Sequence, residues 1–502
     1  MDSGLFKEIL KARVYEVARR TPLDLAPTLS AASGNKVYIK REDLQPIFSF
    51  KIRGAYNKIA ALSAEQLAKG VICASAGNHG QGVALSAKML GIPAWVVMPT
   101  TTPEIKVQAV AGYGAKVILV GDHYSQAYDH SLQLAQDTGA TMIHPFDDPL
   151  VIAGQGTIGK EIIEDCPQMD CIFVPVGGGG LLAGVATYIK TLYPNVRIYG
   201  VEPVDSDAMA QSVAAHERVV LKNVGVFADG VAVKQVGHHS FAICQALVEG
   251  FIRVSTDEIC SAIHDIYRET RTVVEPAGAL SWAGAKAYIK STGAKGQQIV
   301  TISSGANMNF ERLQFVAERA TVGAGRECLL AIKLAERPGS LKDFCTTILR
   351  GVSITEFNYR TNGAPEAYIL LGISLQHSAM HGRFIESLQQ NGYEFHDLTA
   401  NELAKEHVRH MVGGRAPQAI EEELYSFVFP ERPGALADFL AVISHRWNIS
   451  LFHYRSHGAD YGRVLIAFEI SPEERPDFER HLQQIGYPFS WESENPAYTL
   501  LL

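Results

Sequence analysis

The sequence predicts an α/β body followed by a duplicated α+β module, and two patterns along its 502 residues indicate this organisation. From Val37 to about Asn307, short β-branched runs alternate with helix-like segments, which is typical of mostly parallel sheets covered on both faces. After about Thr321, two segments repeat each other at an offset of 95 residues. Because the chain is longer than one hydrophobic core usually serves, we expect two or three domains.

Seven apolar runs in the first part predict strands. They are VYIK from Val37, GVICAS from Gly70, AWVVMP from Ala94, KVILVG from Lys116, CIFVPV from Cys171, RIYGVE from Arg197 and IVTISS from Ile299. Stretches between them, such as QGVALSAKML and SQAYDHSLQLAQDTG, have the apolar spacing of amphipathic helices. The alternation therefore predicts parallel strands joined by crossover helices.

The repeated segments are ERPGSLKDFCTTILRGVSITEFNYR from Glu336 and ERPGALADFLAVISHRWNISLFHYR from Glu431, which are identical at 12 of 25 positions. Each copy predicts the order strand, helix, strand, strand, helix, strand, with FIESLQQNGY and FERHLQQIGY as second helices. The ERPG turn either simply starts a helix, with proline in its first turn, or forms part of a small-molecule site.

These patterns predict four segments along the chain. They are a catalytic-type domain at residues 1–321, a first repeat module at 326–399, a linker at 400–422 and a second module at 423–495. The linker contains MVGGRAPQ, whose glycines and proline suit a connection between domains.

Composition excludes several classes of protein. Hydrophobic residues at 47% and charged residues at 20% fit a globular chain, and a net charge of −8 without a basic run argues against nucleic-acid binding. No apolar run reaches the roughly 18 residues that a membrane helix needs. The N-terminal segment carries Asp2, Glu8 and Glu16 and lacks the features of a signal or transit peptide, so we expect a cytoplasmic protein.

Cysteine and histidine patterns predict neither disulfides nor a metal site. The seven cysteines are widely spaced without a C-x-x-C pair, so we expect all of them to be reduced. The histidines show no spacing typical of metal ligands.

A lysine in the segment IFSFKIRGAYNK is a candidate nucleophile. Lys51 follows Phe48 and Phe50, and Arg53 lies two positions further on. Burial between the two phenylalanines, with a second cation near, should lower the amine pKa from its usual value of about 10.4. Lys51 is therefore a candidate Schiff-base lysine.

Four consecutive glycines separate an apolar strand from a helix in VPVGGGGLLAG. Residues Gly177, Gly178, Gly179 and Gly180 precede a helix that should begin near Leu181. Their exposed N–H groups could hold a phosphate at the helix N-terminus. A rival interpretation is a dinucleotide fingerprint, G-x-G-x-x-A, formed by Gly178, Gly180 and Ala183 with Glu202 at the end of the next strand.

Two further loops follow predicted strands. In ASAGNHGQG, the residues Ser75, Gly77, Asn78 and His79 could bind a substrate carboxylate, with the Asn78 amide donating to a ring oxygen. Alternatively, Ser75 or Asn78 merely caps the helix. In TISSGANMN, Ser304 ends a strand. Because ligands collect at the carboxyl ends of parallel strands, these loops can meet in one crevice.

One cofactor would use all four pieces. Pyridoxal phosphate needs a lysine for its aldehyde, a cradle for its phosphate, a donor for its hydroxyl and a partner for its ring nitrogen. A nicotinamide cofactor would use only the glycines.

The motifs SFKIRGAY, ASAGNHGQG, GGGGL and SSGAN, in this order, resemble the threonine/serine dehydratase branch of the fold-type II pyridoxal-phosphate enzymes. That resemblance implies two α/β catalytic subdomains. The duplicated ERPG module is similar to the ACT-like regulatory domains, of βαββαβ form, found in biosynthetic members of this branch.

The resemblance implies the activity of a threonine ammonia-lyase (threonine deaminase). Such an enzyme eliminates ammonia from L-threonine, and also from L-serine, and forms 2-oxobutyrate through an enamine/imine intermediate in the first committed step of isoleucine biosynthesis. A serine dehydratase or a β-replacement synthase of the same fold remains open, although relatives of the latter kind resemble a Lys-Asp-Arg pattern and Ile52 follows Lys51 here. An NAD-dependent oxidoreductase and a non-catalytic amino-acid sensor are further alternatives.

The resemblance also implies residue roles. Lys51 would carry the cofactor beside Phe50, Asn78 would contact its 3-hydroxyl, and Ser304 would face its pyridine nitrogen. The phosphate would lie on Gly177, Gly178, Gly179, Gly180 and Leu181, and the substrate would contact Ser75, Gly77, Asn78 and His79. Glu275, in VEPAGA, is expected nearby without an assigned role.

Regulation and assembly are likewise implied. The ACT-like domains of the family bind isoleucine as inhibitor and valine as activator, and its members form homotetramers. The sequence leaves open which residues contact the effectors, the preference between threonine and serine, and any monovalent-cation requirement.

Overall fold

A computed structural model describes most of the chain, namely residues 3–335, 340–349, 352–359, 365–376, 379–410, 421–430, 439, 447–455 and 461–501. The chain divides into two compact units, Met1–Val316 and Ala317–Leu502. Both ERPG turns, the MVGGRAPQ segment and, apart from Phe439, the predicted first helix of the second repeat lie outside the described residues. The finer boundaries at residues 321, 399 and 422 stay predictions.

The first unit contains two sheets. Its strands are β1 Leu23–Leu25, β2 Lys36–Arg41, β3 Val71–Ala74, β4 Ala94–Met98, β5 Lys116–Leu119, β6 Thr141–Met142, β7 Cys171–Pro175, β8 Arg197–Pro203, β9 Gly250–Val254 and β10 Gln298–Ser303. The larger sheet has the order β1-β2-β10-β7-β8-β9 and the smaller one the order β5-β4-β3-β6. All pairings are parallel except that of β1 with β2.

Helices precede, separate and follow these strands. They are α1 Ser3–Lys11, α2 Pro27–Ser33, α3 Lys51–Ala60, α4 Ala64–Lys69, α5 Asn78–Leu90, α6 Glu104–Gly112, α7 Tyr124–Thr138, α8 Pro149–Asp165, α9 Gly180–Leu192, α10 Ala208–Ala215, α11 His238–Leu247, α12 Thr256–Thr270, α13 Pro276–Thr292 and α14 Arg312–Gly323. Short 3₁₀ turns lie at Val14–Glu16, Glu42–Leu44 and Asp229–Val231. Among the helices of the described ranges, none is both long and apolar enough to cross a membrane.

The seven predicted strands are all present. The central strands β3 and β7 are buried along their whole length, as their continuous apolar runs predict. Three strands were not predicted: β1 and β6 have only three and two residues, and β9 (GFIRV) mixes glycine and arginine into its run. Because β10 and β7 are parallel neighbours, the loops that follow them start at the same edge of the sheet.

The second unit contains two four-stranded antiparallel sheets. The first comprises β11 Glu327–Ala335, β12 Ser353–Tyr359, β13 Glu366–Ser374 and β14 Phe395–Asp397, and the second comprises β15 Glu422–Pro430, β16 Asn448–Arg455, β17 Tyr461–Glu469 and β18 Phe489–Trp491. The helices described in this unit are α15 Ser340–Thr347, α16 Ala379–Gln390, α17 Glu402–Glu406, α18 Arg475–Ile485 and α19 Pro496–Leu501, with a 3₁₀ turn at Val408–His410.

The two sheets have equivalent topologies, β12-β13-β11-β14 and β16-β17-β15-β18. Each shows a register irregularity at an equivalent place, between Ile354 and Glu356 in one copy and between Ile449 and Leu451 in the other. Because the bulge recurs at the repeat offset, it is a structural feature that both copies share. The predicted fold class, an α/β body followed by two α+β modules, is confirmed.

A fully buried ion network holds β2, α3 and α8 together in the first unit. Arg53 Nη2 lies 2.8 Å from Glu42 Oε1, and Arg53 Nη1 lies 2.6 Å from Glu161 Oε1. Lys40 Nζ lies 2.7 Å from Glu161 Oε2, and all four side chains are fully buried. Because each charge is paired, the network is tolerated in the core, but removal of one partner leaves an uncompensated buried charge.

We expect Arg53→Met to lower the free energy of unfolding by about 3–5 kcal/mol, because buried Glu42 loses its cationic partner and Glu161 keeps only Lys40. Equilibrium urea unfolding followed by far-UV circular dichroism measures this. Arg20→Met is the control: Arg20 pairs with Glu164 and Asp165 at the surface, and its loss should cost no more than about 1 kcal/mol. Equal effects of the two substitutions would contradict the prediction.

Candidate active site

One cavity in the first unit gathers side chains that are far apart in the sequence. It is lined by Phe50, Lys51, Asn78, Pro145, Phe146, Gln155, Pro175, Gly177, Gly178, Gly179, Gly180, Leu181, Gly230, Val231, Glu275, Ala277 and Ser304. The candidate lysine, the glycine loop, Asn78 and Ser304 therefore meet at one place. Ser75, Gly77 and His79 do not line this cavity.

Lys51 is the first residue of α3, and its amine points into the cavity. Lys51 Nζ donates to Pro145 O at 3.0 Å and lies 5.4 Å from the centroid of the Phe50 ring. Burial lowers the Lys51 pKa from 10.5 to about 8, and the negative charge of Glu275 opposes this shift. A larger share of the amine is therefore neutral near physiological pH than for an exposed lysine.

The predicted direction of the Lys51 pKa shift is confirmed, but the predicted housing is wrong. Phe48 is 56% exposed, with a left-handed φ of 55°, and does not line the cavity, whereas the Phe50 ring lies beside the amine. Arg53 does not act on Lys51 either, because its guanidinium is bound to Glu42 and Glu161 in the ion network. Burial in the cavity wall lowers the pKa instead.

The glycine loop connects β7 to α9 as a cradle without side chains. Gly179 has a φ of 93°, a conformation that L side chains rarely adopt. A Cβ on Gly178 would lie 2.2 Å from the Phe146 ring, and one on Gly180 would lie 2.6 Å from Phe146 O. The loop opens a helix of 13 residues, whose N-terminal N–H groups and dipole favour an anion. The backbone here suits a phosphate.

The rival dinucleotide interpretation fails at its acidic residue. Glu202 lies one residue before the end of β8 but is buried, and it accepts hydrogen bonds from Met209 N at 2.9 Å and Ala210 N at 2.8 Å. Burial raises its pKa to about 8. Glu202 therefore caps the start of α10 and is not available to a ribose.

The loop before α5 divides between the cavity and the interior. Asn78 Nδ2 donates to Glu275 Oε1 at 2.6 Å, and Ser75 Oγ accepts from Gly77 N at 3.2 Å. His79 is buried, with Nε2 2.8 Å from Ile143 O, and burial lowers its pKa to about 3, so its ring is neutral. Neither Ser75 nor Asn78 caps the helix through its side chain, so the simple capping interpretation is wrong.

Glu275 is the acidic residue of the cavity. Its pKa is raised to about 7, chiefly by burial and further by the negative charge of Asp229, while the Asn78 hydrogen bond and the charges of Lys106 and Arg312 oppose the shift. Asp229 binds Lys106 Nζ at 2.6 Å and Arg312 Nη1 at 3.4 Å. These two cations outweigh burial and lower the pKa of Asp229.

Ser304 directly follows β10 and is buried, with its hydroxyl donating to Ala277 O at 3.2 Å. The segment after it is tied to the segment before Lys51: Phe50 N donates to Ser304 O at 3.2 Å, and Ala306 N donates to Phe48 O at 2.9 Å. The loop that follows β10 therefore holds the Lys51 segment in place.

Sequence reasoning missed several contributors to the site. Phe146 covers the glycine loop, Val231 lies against Gly177, and Asn307 hydrogen-bonds Asn78. Only Asn307 stood in a quoted motif, SSGAN, where an amide directly after a strand-end turn could have drawn attention. Phe146 and Val231 carry no chemical signal in the sequence.

These residues fit pyridoxal phosphate. The amine with a lowered pKa suits the aldehyde, the side-chain-free loop suits the phosphate, and the neutral Ser304 hydroxyl suits an uncharged ring nitrogen. The profile of the family described as pyridoxal-phosphate dependent enzyme matches residues 14–305. The chain belongs to this pyridoxal-phosphate-dependent enzyme family. The profile of the C-terminal regulatory domain of threonine dehydratase matches this pyridoxal-phosphate-dependent enzyme twice, at residues 318–408 and 413–502.

Known proteins resemble this pyridoxal-phosphate-dependent enzyme over nearly its whole length. It is 51% identical over 500 residues to the biosynthetic L-threonine dehydratase of Burkholderia multivorans, covering 99% of this chain and 98% of the relative. It is 48% identical over 497 residues to the Escherichia coli enzyme of the same name, covering 99% and 96%.

Solved structures resemble the catalytic part. The processed form of threonine deaminase isoform 2 from Solanum lycopersicum matches with a TM-score of 0.63 and 50% identity, over 64% of this chain and 94% of that one. Maize serine racemase matches with a TM-score of 0.59 and 36% identity, over 62% and 96%.

We expect Gly178→Ala to weaken pyridoxal-phosphate binding roughly 5- to 150-fold, because the new Cβ displaces the Phe146 ring at a cost of about 1–3 kcal/mol. Titration of the apoprotein with the cofactor, followed by visible absorbance, measures the affinity. Gly112→Ala is the matched control, since a Cβ there, at the end of α6, has nothing within 4 Å. An unchanged affinity in Gly178→Ala would contradict the cradle.

Proposed function

We propose that the chain is a threonine ammonia-lyase, which converts L-threonine to 2-oxobutyrate and ammonia in the first committed step of isoleucine biosynthesis, with L-serine as a second substrate. The observation that carries the proposal is a buried amine facing a glycine cradle, in a chain 51% identical to a biosynthetic L-threonine dehydratase over 500 residues. The second unit belongs to the regulatory family of such enzymes.

Lys51 is proposed as the catalytic residue. Its amine would hold the cofactor at the aldehyde carbon, and as a free neutral base it would take the proton from substrate Cα. When bound, pyridoxal phosphate supplies an electron sink that makes this proton acidic. The carbonyl of Pro145, 3.0 Å from Lys51 Nζ, holds the free amine at the cavity wall.

The remaining cofactor contacts follow from the lining of the cavity. We assign the phosphate to the backbone of Gly177, Gly178, Gly179, Gly180 and Leu181, the 3-hydroxyl to Asn78, and the pyridine nitrogen to Ser304, with Phe50 beside the ring. A hydroxyl at Ser304 cannot hold the ring nitrogen charged as a carboxylate would. It therefore favours elimination over transamination.

We place the substrate carboxylate at the start of α5, near Ser75, Gly77, Asn78 and His79. The support is local: the space beside Gly77 is open, and the N–H groups of a 13-residue helix begin there. His79 would act from behind this loop as a neutral ring anchored on Ile143 O.

Lys51→Ala should reduce threonine turnover at least about 10²-fold, because it removes both the covalent anchor and the base. Product formation by purified enzyme measures the loss, and borohydride reduction of the wild type should leave a pyridoxyl group on the Lys51 peptide. Lys58→Ala on the same helix is the control, because Lys58 pairs with Asp148 and does not line the cavity. Wild-type turnover in Lys51→Ala would exclude the proposed role.

Regulation is proposed to reside in the second unit, with isoleucine as inhibitor and valine as activator. The support is the double match to the regulatory domain of threonine dehydratase. We further propose a homotetramer, as the resemblance implies, and a cytoplasmic location, which suits seven cysteines that form no disulfide.

A chain ending after residue 323 should keep threonine turnover and lose its response to isoleucine. The cut retains the whole of α14 and removes both regulatory modules. Steady-state rates with and without isoleucine, compared with the full chain, check this. Undiminished inhibition of the shortened chain would place the effector site elsewhere.

A further inference from the structure

Asn307 joins two segments of the candidate site through one nitrogen. Its Nδ2 lies 2.9 Å from Ile47 O and 2.5 Å from Asn78 Oδ1. A peptide carbonyl can only accept a hydrogen bond, so the atom of Asn307 that faces Ile47 must be the amide nitrogen. The orientation of the Asn307 side chain is thereby fixed by chemistry.

This orientation determines that of Asn78. The second hydrogen of Asn307 Nδ2 needs an acceptor, so Asn78 must turn its Oδ1 toward Asn307. Asn78 Nδ2 then faces Glu275 Oε1 at 2.6 Å. Its remaining hydrogen is free to donate to a ligand in the cavity that Asn78 lines.

Glu275 alone cannot impose this orientation. Its pKa is raised to about 7, and a protonated carboxyl group can donate as well as accept, so either orientation of Asn78 would satisfy it. The charged groups that act on Glu275 are Asp229, Lys106 and Arg312, and Glu275 in turn acts on Lys51. The carbonyl of Ile47 does not titrate, so Asn307 holds Asn78 at every pH.

We propose that Asn307 is a positioning residue that presents the N–H of Asn78 to the 3-oxygen of bound pyridoxal phosphate. The inference rests on the proposed contact between Asn78 and that oxygen. Asn307 also links Ile47 to the loop that follows β10. Ile47 precedes Phe48, whose left-handed φ of 55° needs such restraint.

The test compares the affinities of the apoprotein for pyridoxal phosphate and for 3-deoxypyridoxal phosphate, which lacks the 3-oxygen. We expect the wild type to prefer pyridoxal phosphate about tenfold, as one hydrogen bond allows. In Asn307→Asp, the carboxylate cannot donate to Asn78, which turns its own Nδ2 toward residue 307 and its Oδ1 toward the cavity. The preference should fall to about one or below.

Asn57→Asp is the matched control. Asn57 Nδ2 donates to Leu150 O at 2.8 Å, so the same change breaks an equivalent bond to a peptide carbonyl away from the cavity lining. A purely structural effect of the substitution would weaken the binding of pyridoxal phosphate and of its 3-deoxy analogue equally, so the tenfold ratio would remain. Circular dichroism checks that each variant is folded.

A ratio that stays near ten in Asn307→Asp would overturn the inference. A wild type without any preference would overturn it together with the proposed Asn78 contact, so the two failures are distinguishable. Asn307→Ala is the second variant, for the case in which Asn307→Asp does not fold. Its ratio should be near ten at pH 8.5, where ionised Glu275 still holds Asn78, and lower at pH 6, where protonated Glu275 satisfies either orientation; a ratio of ten at both pH values would contradict the proposal.

Discussion

The chemistry proposed for this site depends on an amine that must lose its charge inside the protein. Lys51 meets this requirement because burial lowers its pKa to about 8. The nearest opposing influence is Glu275, whose ionised form would raise the Lys51 pKa again. Burial also raises the pKa of Glu275, to about 7. The cavity therefore holds a base and an acid whose pKa values both lie close to neutral pH. If either group were fully charged, it would stabilise the charged form of the other and make proton transfer to or from that group harder.

Strong charges are present around the cavity, but each is paired away from the amine. Asp229 is bound by Lys106 and Arg312, and Arg53 is bound by Glu42 and Glu161 behind α3. Such pairs contribute little net stability, yet each becomes costly when one partner is lost. Besides Glu275, their arrangement leaves the cavity lined by peptide groups, amides and a hydroxyl, which suit a phosphate and a ring without adding a permanent charge.

The sequence was sufficient wherever one segment carries the signal alone. Continuous apolar runs predicted seven of the ten strands of the first unit, and consecutive glycines predicted a helix entry without side chains. It was insufficient where partners are distant. Arg53 pairs with Glu161, 108 positions away, and Asn307 meets Asn78, 229 positions away. Phe48 turned outward because of a left-handed φ, which a phenylalanine in a sequence does not indicate.

The two copies of the duplicated module show which features of the fold are kept when the core residues differ. Both copies keep the strand order and the bulge, although Leu330 and Ile332 in the core of one copy correspond to Tyr425 and Phe427 in the other. Topology therefore follows the alternation of buried positions and tolerates aliphatic or aromatic filling.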